Sequence, residues 1–202
     1  LCLLESVRFF NKNIKVFIPS STDCFGTTTK DKPANEDSPH NPMSPYAVAK
    51  SSSYWISKTY RDTYGMFVSV GFLSNHISPL SGKQIVTSKL FRSIKQILRK
   101  EKDSIKFGDL SIIRDWGWAP SYVEAIYKML QTDVPKDYII ASGNSHTLYD
   151  LVKKAFDLSG IGNCENFIQY QQSELRPNEI KSSYLNPSKA KIDLNWENKY
   201  NF

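Results

Sequence analysis

Apolar residues at positions 3, 4, 7 and 10 recur at the spacing of one helical face and predict a helix at the start of the chain. Residues 14–20 follow as a short apolar run and read as a buried strand. From 21 to 44 the periodicity stops. Gly26, Pro33, Pro39 and Pro42 stand among polar groups and predict a long loop, a kind of segment that in compact domains is usually functional or disordered. The pattern resumes at Pro45, a first-turn proline, and a helix runs from there to Gly65, a natural stop. Residues 66–73 form the next strand. After a loop with Pro79 and Gly82, a helix over about 85–100 turns Val86, Leu90, Ile94, Ile97 and Leu98 inward.

Beyond residue 100 the units shorten. The pattern predicts strands near 104–107, 137–141 and 166–169, with helices near 120–131, 147–159 and 187–194. Strands alternating with helices argue an α/β chain with a parallel sheet. No internal repeat or low-complexity linker interrupts it.

Composition narrows the class. At 202 residues with 40% hydrophobic and 23% charged content the chain can bury a sizeable core. No apolar run approaches the roughly 18 residues that span a bilayer. The first ten residues lack the basic flank and small-residue cleavage site of a signal peptide, and Glu5 and Arg8 interrupt them. Cys2, Cys24 and Cys164 are odd in number and lack metal-ligand spacing, so they are expected to be reduced thiols in a cytoplasmic protein, with no metal. The net charge of +6 suits anionic substrates; the basic residues read as scattered rather than gathered in one tract, and no stacking motif of a nucleic-acid binder is present.

One pattern carries chemistry. Tyr46 and Lys50 form a Tyr-x-x-x-Lys pair on one helix face, where an ammonium favours phenolate and pulls the phenol toward use as a general base. The same spacing recurs as Tyr54/Lys58 and Tyr149/Lys153, so the pattern alone decides little. Context singles out Tyr46, which begins a helix behind a loop, downstream of a strand ending in Ser20-Ser21-Thr22-Asp23. Residues at the C-terminal edge of a parallel sheet face the crevice where ligands bind.

Ser20-Ser21-Thr22-Asp23-Cys24-Phe25-Gly26, followed by Ser44-Pro45-Tyr46-Ala47-Val48-Ala49-Lys50, resembles the catalytic stretch of extended short-chain dehydrogenases. Further matches are Tyr54-Trp55-Ile56, Tyr60-Arg61-Asp62-Thr63-Tyr64-Gly65-Met66, Asn75-His76, Val86-Thr87-Ser88-Lys89 and Arg114-Asp115-Trp116-Gly117-Trp118-Ala119-Pro120. Arg176-Pro177-Asn178-Glu179 and Asn186-Pro187-Ser188-Lys189-Ala190 complete a series that covers nearly the whole chain in order. Within that group the chain is similar to the GDP-mannose 4,6-dehydratase family.

The resemblance implies a Rossmann-type doubly wound parallel sheet, its C-terminal part at residues 1–76, and a smaller α/β substrate lobe over 77–202 with segments returning to the sheet. It implies an NADP (or NAD) cofactor, a nucleotide-diphosphate sugar as substrate, a homodimer or homotetramer, and no nucleic-acid or membrane partner. Tyr46 becomes the base for C4 oxidation and Lys50 the holder of the nicotinamide ribose. Ser21 stands where the family has threonine, and Asp23 where it has the glutamate that handles the C5 proton. Asn75 and His76 line the sugar-diphosphate and cofactor region; Val86, Lys89, Arg114, Arg176 and Glu179 fall at nucleotide-diphosphate positions. Ile77 replaces a frequent glutamate, Ser88 an arginine, and Leu80-Ser81 a frequent arginine pair. The family's Gly-x-x-Gly-x-x-Gly cofactor turn is not found in residues 1–202, and Leu1–Phe10 resembles the helix that follows about one hundred earlier residues. The rival readings are an epimerase or reductase of the same superfamily, which needs no C5 base, and a non-catalytic nucleotide-sugar-binding subunit.

Overall fold

The computed structural model describes residues 1–174 and 178–200. The elements run α1 (Cys2–Phe10), β1 (Val16–Ser21), α2 (Pro45–Tyr64), β2 (Val68–Leu73), β3 (Asn75–Ile77) and α3 (Val86–Leu98). They continue with β4 (Ile105–Phe107), β5 (Ile113–Trp118), α4 (Ala119–Gln131), β6 (Tyr138–Ile140), β7 (Ser145–Thr147), α5 (Leu148–Ser159), β8 (Ile168–Tyr170) and α6 (Ser188–Leu194).

Three small sheets organise them. β1, β2 and β6 form a parallel sheet in that order, with Val68, Val70, Phe72, Ile139 and Ile140 fully buried. Such near-continuous apolar runs are what a sheet covered on both faces requires. β3 and β5 pair in parallel while β7 returns antiparallel to β5; β4 and β8 form a separate parallel pair. The α/β class with parallel pairing is therefore present.

α2 starts where the Ser44 side chain accepts the Ala47 N–H at 3.1 Å and Pro45 fills the first turn. Such a cap is typically worth about 1 kcal/mol. Its buried face is Ala47, Ser51, Ser57 and Tyr60, mostly small residues that let it lie close on β1 and β2. The Arg61 guanidinium forks onto Asp137 at 2.7 Å on both oxygens, and Asp137 also accepts the Val70 N–H. That pair ties α2, β2 and the entry to β6 together.

In the second half the apolar stripe of α3 (Leu90, Ile94, Ile97) packs with Phe107, Trp116, Leu151 and Phe156 into one core cluster. Leu98, expected inward, is 58% exposed. α3 ends at Leu98 and the chain turns away at Lys100, φ +57°, so the last residue passes the edge of the stripe. The loop over 26–44 is long but well tied: Thr28 and Ala34 exchange backbone hydrogen bonds with the 182–186 segment, and Glu36 accepts the Ile139 N–H at 2.7 Å.

Candidate active site

β1 ends at Ser21, and the chain tightens at once into a 3-10 turn, Thr22–Phe25, closed by Gly26 at φ +67°. A Cβ on Gly26 would meet the Asn41 carbonyl oxygen at 2.5 Å, so no side chain fits where the returning loop crosses. Asn41 N–H donates to the Cys24 carbonyl there. The result places Ser21 and Asp23 at the C-terminal edge of the sheet. The Ser21 hydroxyl accepts the Asp23 N–H at 3.2 Å and lies close enough to the Tyr46 phenol to favour its ionised form.

Tyr46 enters from the first turn of α2 and is half exposed. Lys50, one turn on, donates to the Pro19 carbonyl at 2.8 Å, with its ammonium 5.7 Å from the Tyr46 ring centre. The phenol is held above its ordinary value: burial raises it most, the Ser21 hydroxyl lowers it, and the nearby Asp23 carboxylate raises it again. This reverses the expected depression by Lys50. The reason is that burial and the Asp23 carboxylate disfavour the phenolate while the Lys50 ammonium is turned to a backbone carbonyl.

A cavity of about 420 Å³ opens beside this cluster. Asp23 and Ser44 border it from the sheet edge; Asn75, Val86, Lys89, Arg114 and Glu179 form much of the rest. Arg114 donates to Glu179 at 2.6 Å and to its neighbour's carbonyl, Ile113 O, at 2.9 Å, and both charged side chains are largely buried. Lys89 lies over the Phe107 ring at 5.9 Å. Asn75 Nδ2 donates to the Asp115 carbonyl at 3.2 Å. His76 is not part of the cavity wall. Its Nδ1 sits 2.9 Å from the Ser74 carbonyl and its ring lies against Tyr122. Arg176 falls outside the described residues.

Sequence reasoning missed what holds these groups. Asp115 is 0% exposed, and its two oxygens accept four donors: Ser74 Oγ at 2.9 Å, Ser142 N at 2.8 Å, Ser142 Oγ at 2.9 Å and Gly143 N at 2.8 Å. Tyr122 hydroxyl lies 2.5 Å from Ser74 Oγ, and because Ser74 gives its proton to Asp115, Tyr122 is the donor. Gly117 faces the Tyr122 ring so closely that a Cβ could not be accommodated. Burial raises both acids, Asp115 and the Tyr122 phenol. The signal was present in Asp115-Trp116-Gly117, but nothing in the local pattern says that its carboxylate points into the protein. At the cavity rim Lys181 pairs with Asp109 at 3.1 Å, a contact also unforeseen.

Among the described residues no group of three His, Cys, Asp or Glu side chains could hold a metal ion, and no helix is long and apolar enough to cross a membrane. Cys2 is exposed while Cys24 and Cys164 are buried, all unpaired with one another.

Comparison with known proteins gives a consistent result. The GDP-mannose 4,6 dehydratase family model matches residues 1–202. GDP-mannose 4,6 dehydratase 1 of Arabidopsis thaliana is 35% identical over 206 residues, covering 100% of this chain and 56% of that protein. The Homo sapiens GDP-mannose 4,6 dehydratase is 33% identical, covering 98% and 58%. The chain thus spans about half the length of the curated relatives it matches. Among solved structures, a dTDP-glucose 4,6-dehydratase from Bacillus anthracis in complex with NAD superposes with a TM-score of 0.86 at 27% identity, covering 99% of this chain and 61% of that one. RMD from Pseudomonas aeruginosa complexed with NADPH shares the fold, with a TM-score of 0.88 at 20% identity and coverage of 98% and 66%. With the family model matched from end to end, this chain belongs to the GDP-mannose 4,6-dehydratase family.

Proposed function

We propose that this chain carries the catalytic and substrate-binding part of a nucleotide-sugar 4,6-dehydratase acting on GDP-mannose or a related nucleotide hexose. The observation that carries the reading is the sequence of contacts Tyr46–Ser21–Asp23 at the sheet edge, opening directly into a cavity walled by Asn75, Lys89, Arg114 and Glu179. A diphosphate suits the two cations, and Glu179 suits hydroxyl donors of a nucleoside.

The residues at the sheet edge suit the nicotinamide end of an NADP or NAD cofactor. A half-exposed phenol, an ammonium and a hydroxyl converge there, and we assign His76 to the same cofactor. Lys50 would hold ribose hydroxyls by turning from the Pro19 carbonyl. When bound, the cofactor supplies reversible hydride transfer, accepting hydride from C4 of the hexose and returning it to C6.

Tyr46 takes the C4 hydroxyl proton, and the Ser21 hydroxyl beside it orients the phenol. Asp23 then removes the C5 proton, which the C4 ketone acidifies, and gives a proton to the hydroxyl leaving C6 as water. With hydride returned to C6, the proton held by Tyr46, exchangeable with solvent, goes back to C5, and the product is a 4-keto-6-deoxy sugar. We place residues 1–76 on the cofactor side and 77–202 mainly on the substrate side, and assign the protein to the cytoplasm. A homodimer or homotetramer would cover Phe9, Phe10, Trp55 and Ile56, which α1 and α2 leave exposed.

The deciding variant is Asp23→Asn, made in protein expressed from the complete gene. The first hydride transfer persists because Tyr46 and Lys50 remain, so reduced-nicotinamide absorbance builds up while no water is lost. In deuterated solvent the wild type labels C5 and the variant does not. Elimination at the wild-type rate by Asp23→Asn would move the C5 base elsewhere. Conversion without any C5 label in the wild type would favour a C4 epimerase or reductase instead.

A further inference from the structure

The charge excess of this chain has an address. Residues 83–106 hold eight lysines and arginines against two acids, so this stretch alone carries the net charge of +6. The remaining 178 residues balance, with 18 basic and 18 acidic side chains. The expectation that the basic residues are scattered rather than gathered in one tract is thereby corrected in one respect: the residues are spread along the chain, but their surplus over acids lies in this stretch.

The stretch comprises α3, the turn at Lys100 and β4. The cavity is bordered by Gln84, Val86 and Lys89 at the start of the stretch and by Phe107, the residue just after it. Between them α3 buries Leu90, Ile94 and Ile97, and the helix with its C-cap leaves Arg92, Lys95 and Arg99 exposed. The contacts these three make are slight: Arg92 reaches the Lys83 carbonyl at 3.0 Å, and Arg99 lies 3.9 Å from Glu101. An exposed helix face with three cations and no acid contributes little to holding the fold. Like charges at helical spacing cost a few tenths of a kcal/mol each.

We propose that the 83–106 unit is an electrostatic guide that draws an anionic nucleoside diphosphate sugar into the adjoining cavity. The proposal rests on the nucleotide-sugar reading above. A wall of single-sign charge beside a low-dielectric cleft raises capture rates by about 10- to 1,000-fold. The field acts over roughly 10 Å at 0.1 M salt, so its reach is short and salt-sensitive. Lys89 borders the cavity and can touch the ligand, whereas Arg92, Lys95 and Arg99 act at a distance. Their effect therefore falls on association and not on dissociation.

The test uses protein expressed from the complete gene and stopped-flow binding of GDP carrying a fluorescent ribose label. Arg92→Glu, Lys95→Glu and Arg99→Glu together take the unit from +6 to neutral. The association rate constant should fall about tenfold at low salt, with dissociation changed less than about twofold. The wild-type association rate should decline with added salt and the triple variant's should stay flat. The triple glutamine variant, which removes charge without reversing it, should fall between them, and circular dichroism checks that both fold. A wild type that binds GDP no faster than the folded triple variant overturns the guide alone. A wild type that never binds GDP overturns the nucleotide-sugar reading and the guide with it.

Discussion

Three tyrosines in this chain precede a lysine by four positions, and their surroundings assign them different work. Tyr54 packs among His40, Trp55 and Phe72, while Lys58 pairs with Asp62 at 2.7 Å. Tyr149 donates to Glu165 at 3.0 Å, and that bond pushes its phenol up to about 12. Tyr46 alone of the three adjoins Ser21 and Asp23. Its raised phenol is poorly poised as a base in the protein by itself; the positive charge of an oxidised nicotinamide would lower it, coupling base strength to cofactor occupancy. Tyr46→Phe should reduce turnover by about 100- to 10,000-fold with nucleotide-sugar affinity nearly unchanged, because the ring fills the same space and only the proton carrier is lost. Tyr54→Phe and Tyr149→Phe should turn over like wild type. Steady-state rates beside calorimetric affinities make the comparison, and a Tyr46→Phe enzyme of normal rate would remove this phenol from the mechanism.

At the scale of elements, the joint between the two larger sheets is a buried carboxylate. Asp115 lies on β5, Ser74 between β2 and β3, and Ser142 just after β6, so four hydrogen bonds to one side chain connect the β1-β2-β6 sheet to the β3-β5-β7 sheet. Because two of the donors are backbone N–H groups, one on each oxygen, the site demands an acceptor at both positions. Asp115→Asn must turn an NH2 toward Ser142 N or Gly143 N, leaving a buried donor unsatisfied. The expected cost is about 2–3 kcal/mol, read as a shift in denaturant midpoint at constant slope. Since Asn75 hangs from the Asp115 carbonyl and Arg114 precedes it, KM for the nucleotide sugar should rise more than kcat falls. A variant within about 0.5 kcal/mol of wild type would mean that the joint is held by other contacts. This element also marks where the sequence stopped being legible. α2, α3 and α5 were readable from period and caps: Ser44-Pro45 opens α2, and Thr147 and Asp150 form a capping box for α5. β3, β5 and β7 were not. β5 reads Ile-Arg-Asp-Trp-Gly-Trp, with no alternation of apolar and polar residues, because Asp115 is satisfied inside, Arg114 and Trp116 meet the cavity, and Gly117 makes room for Tyr122. In the site, Ser21, Asp23 and Tyr46 could be anticipated from a strand end and a helix start. The Arg114–Glu179 pair joins residues 65 apart, and only family resemblance brought those positions together.

For the molecule as a whole, the 26–44 loop is the strap that joins its early and late segments. It pairs with residues 182–186 through Thr28 and Ala34, and it reaches β6 through Glu36, whose carboxylate accepts the Ile139 N–H at 2.7 Å. Burial holds the Glu36 carboxyl above its ordinary value, although that same hydrogen bond pulls the other way. The sign of the consequence follows from proton counting. Between the ordinary value of 4.5 and the higher folded value, the folded state binds more protons than the unfolded one, so stability falls as pH rises through that window. Above it the folded protein carries the full cost of a buried charge. Glu36→Gln keeps an oxygen to accept the Ile139 N–H and never ionises, so it imitates the protonated carboxyl. The variant should be more stable than wild type at pH 8, and its advantage should shrink as pH falls toward 4.5 and disappear below it. Paired denaturant titrations at several pH values read this directly. A Glu36→Gln protein less stable than wild type at pH 8 would show that the ionised carboxylate, through attraction to Lys189, outweighs its desolvation. An advantage independent of pH would show that the gain comes from packing, with the charge of the strap playing no part.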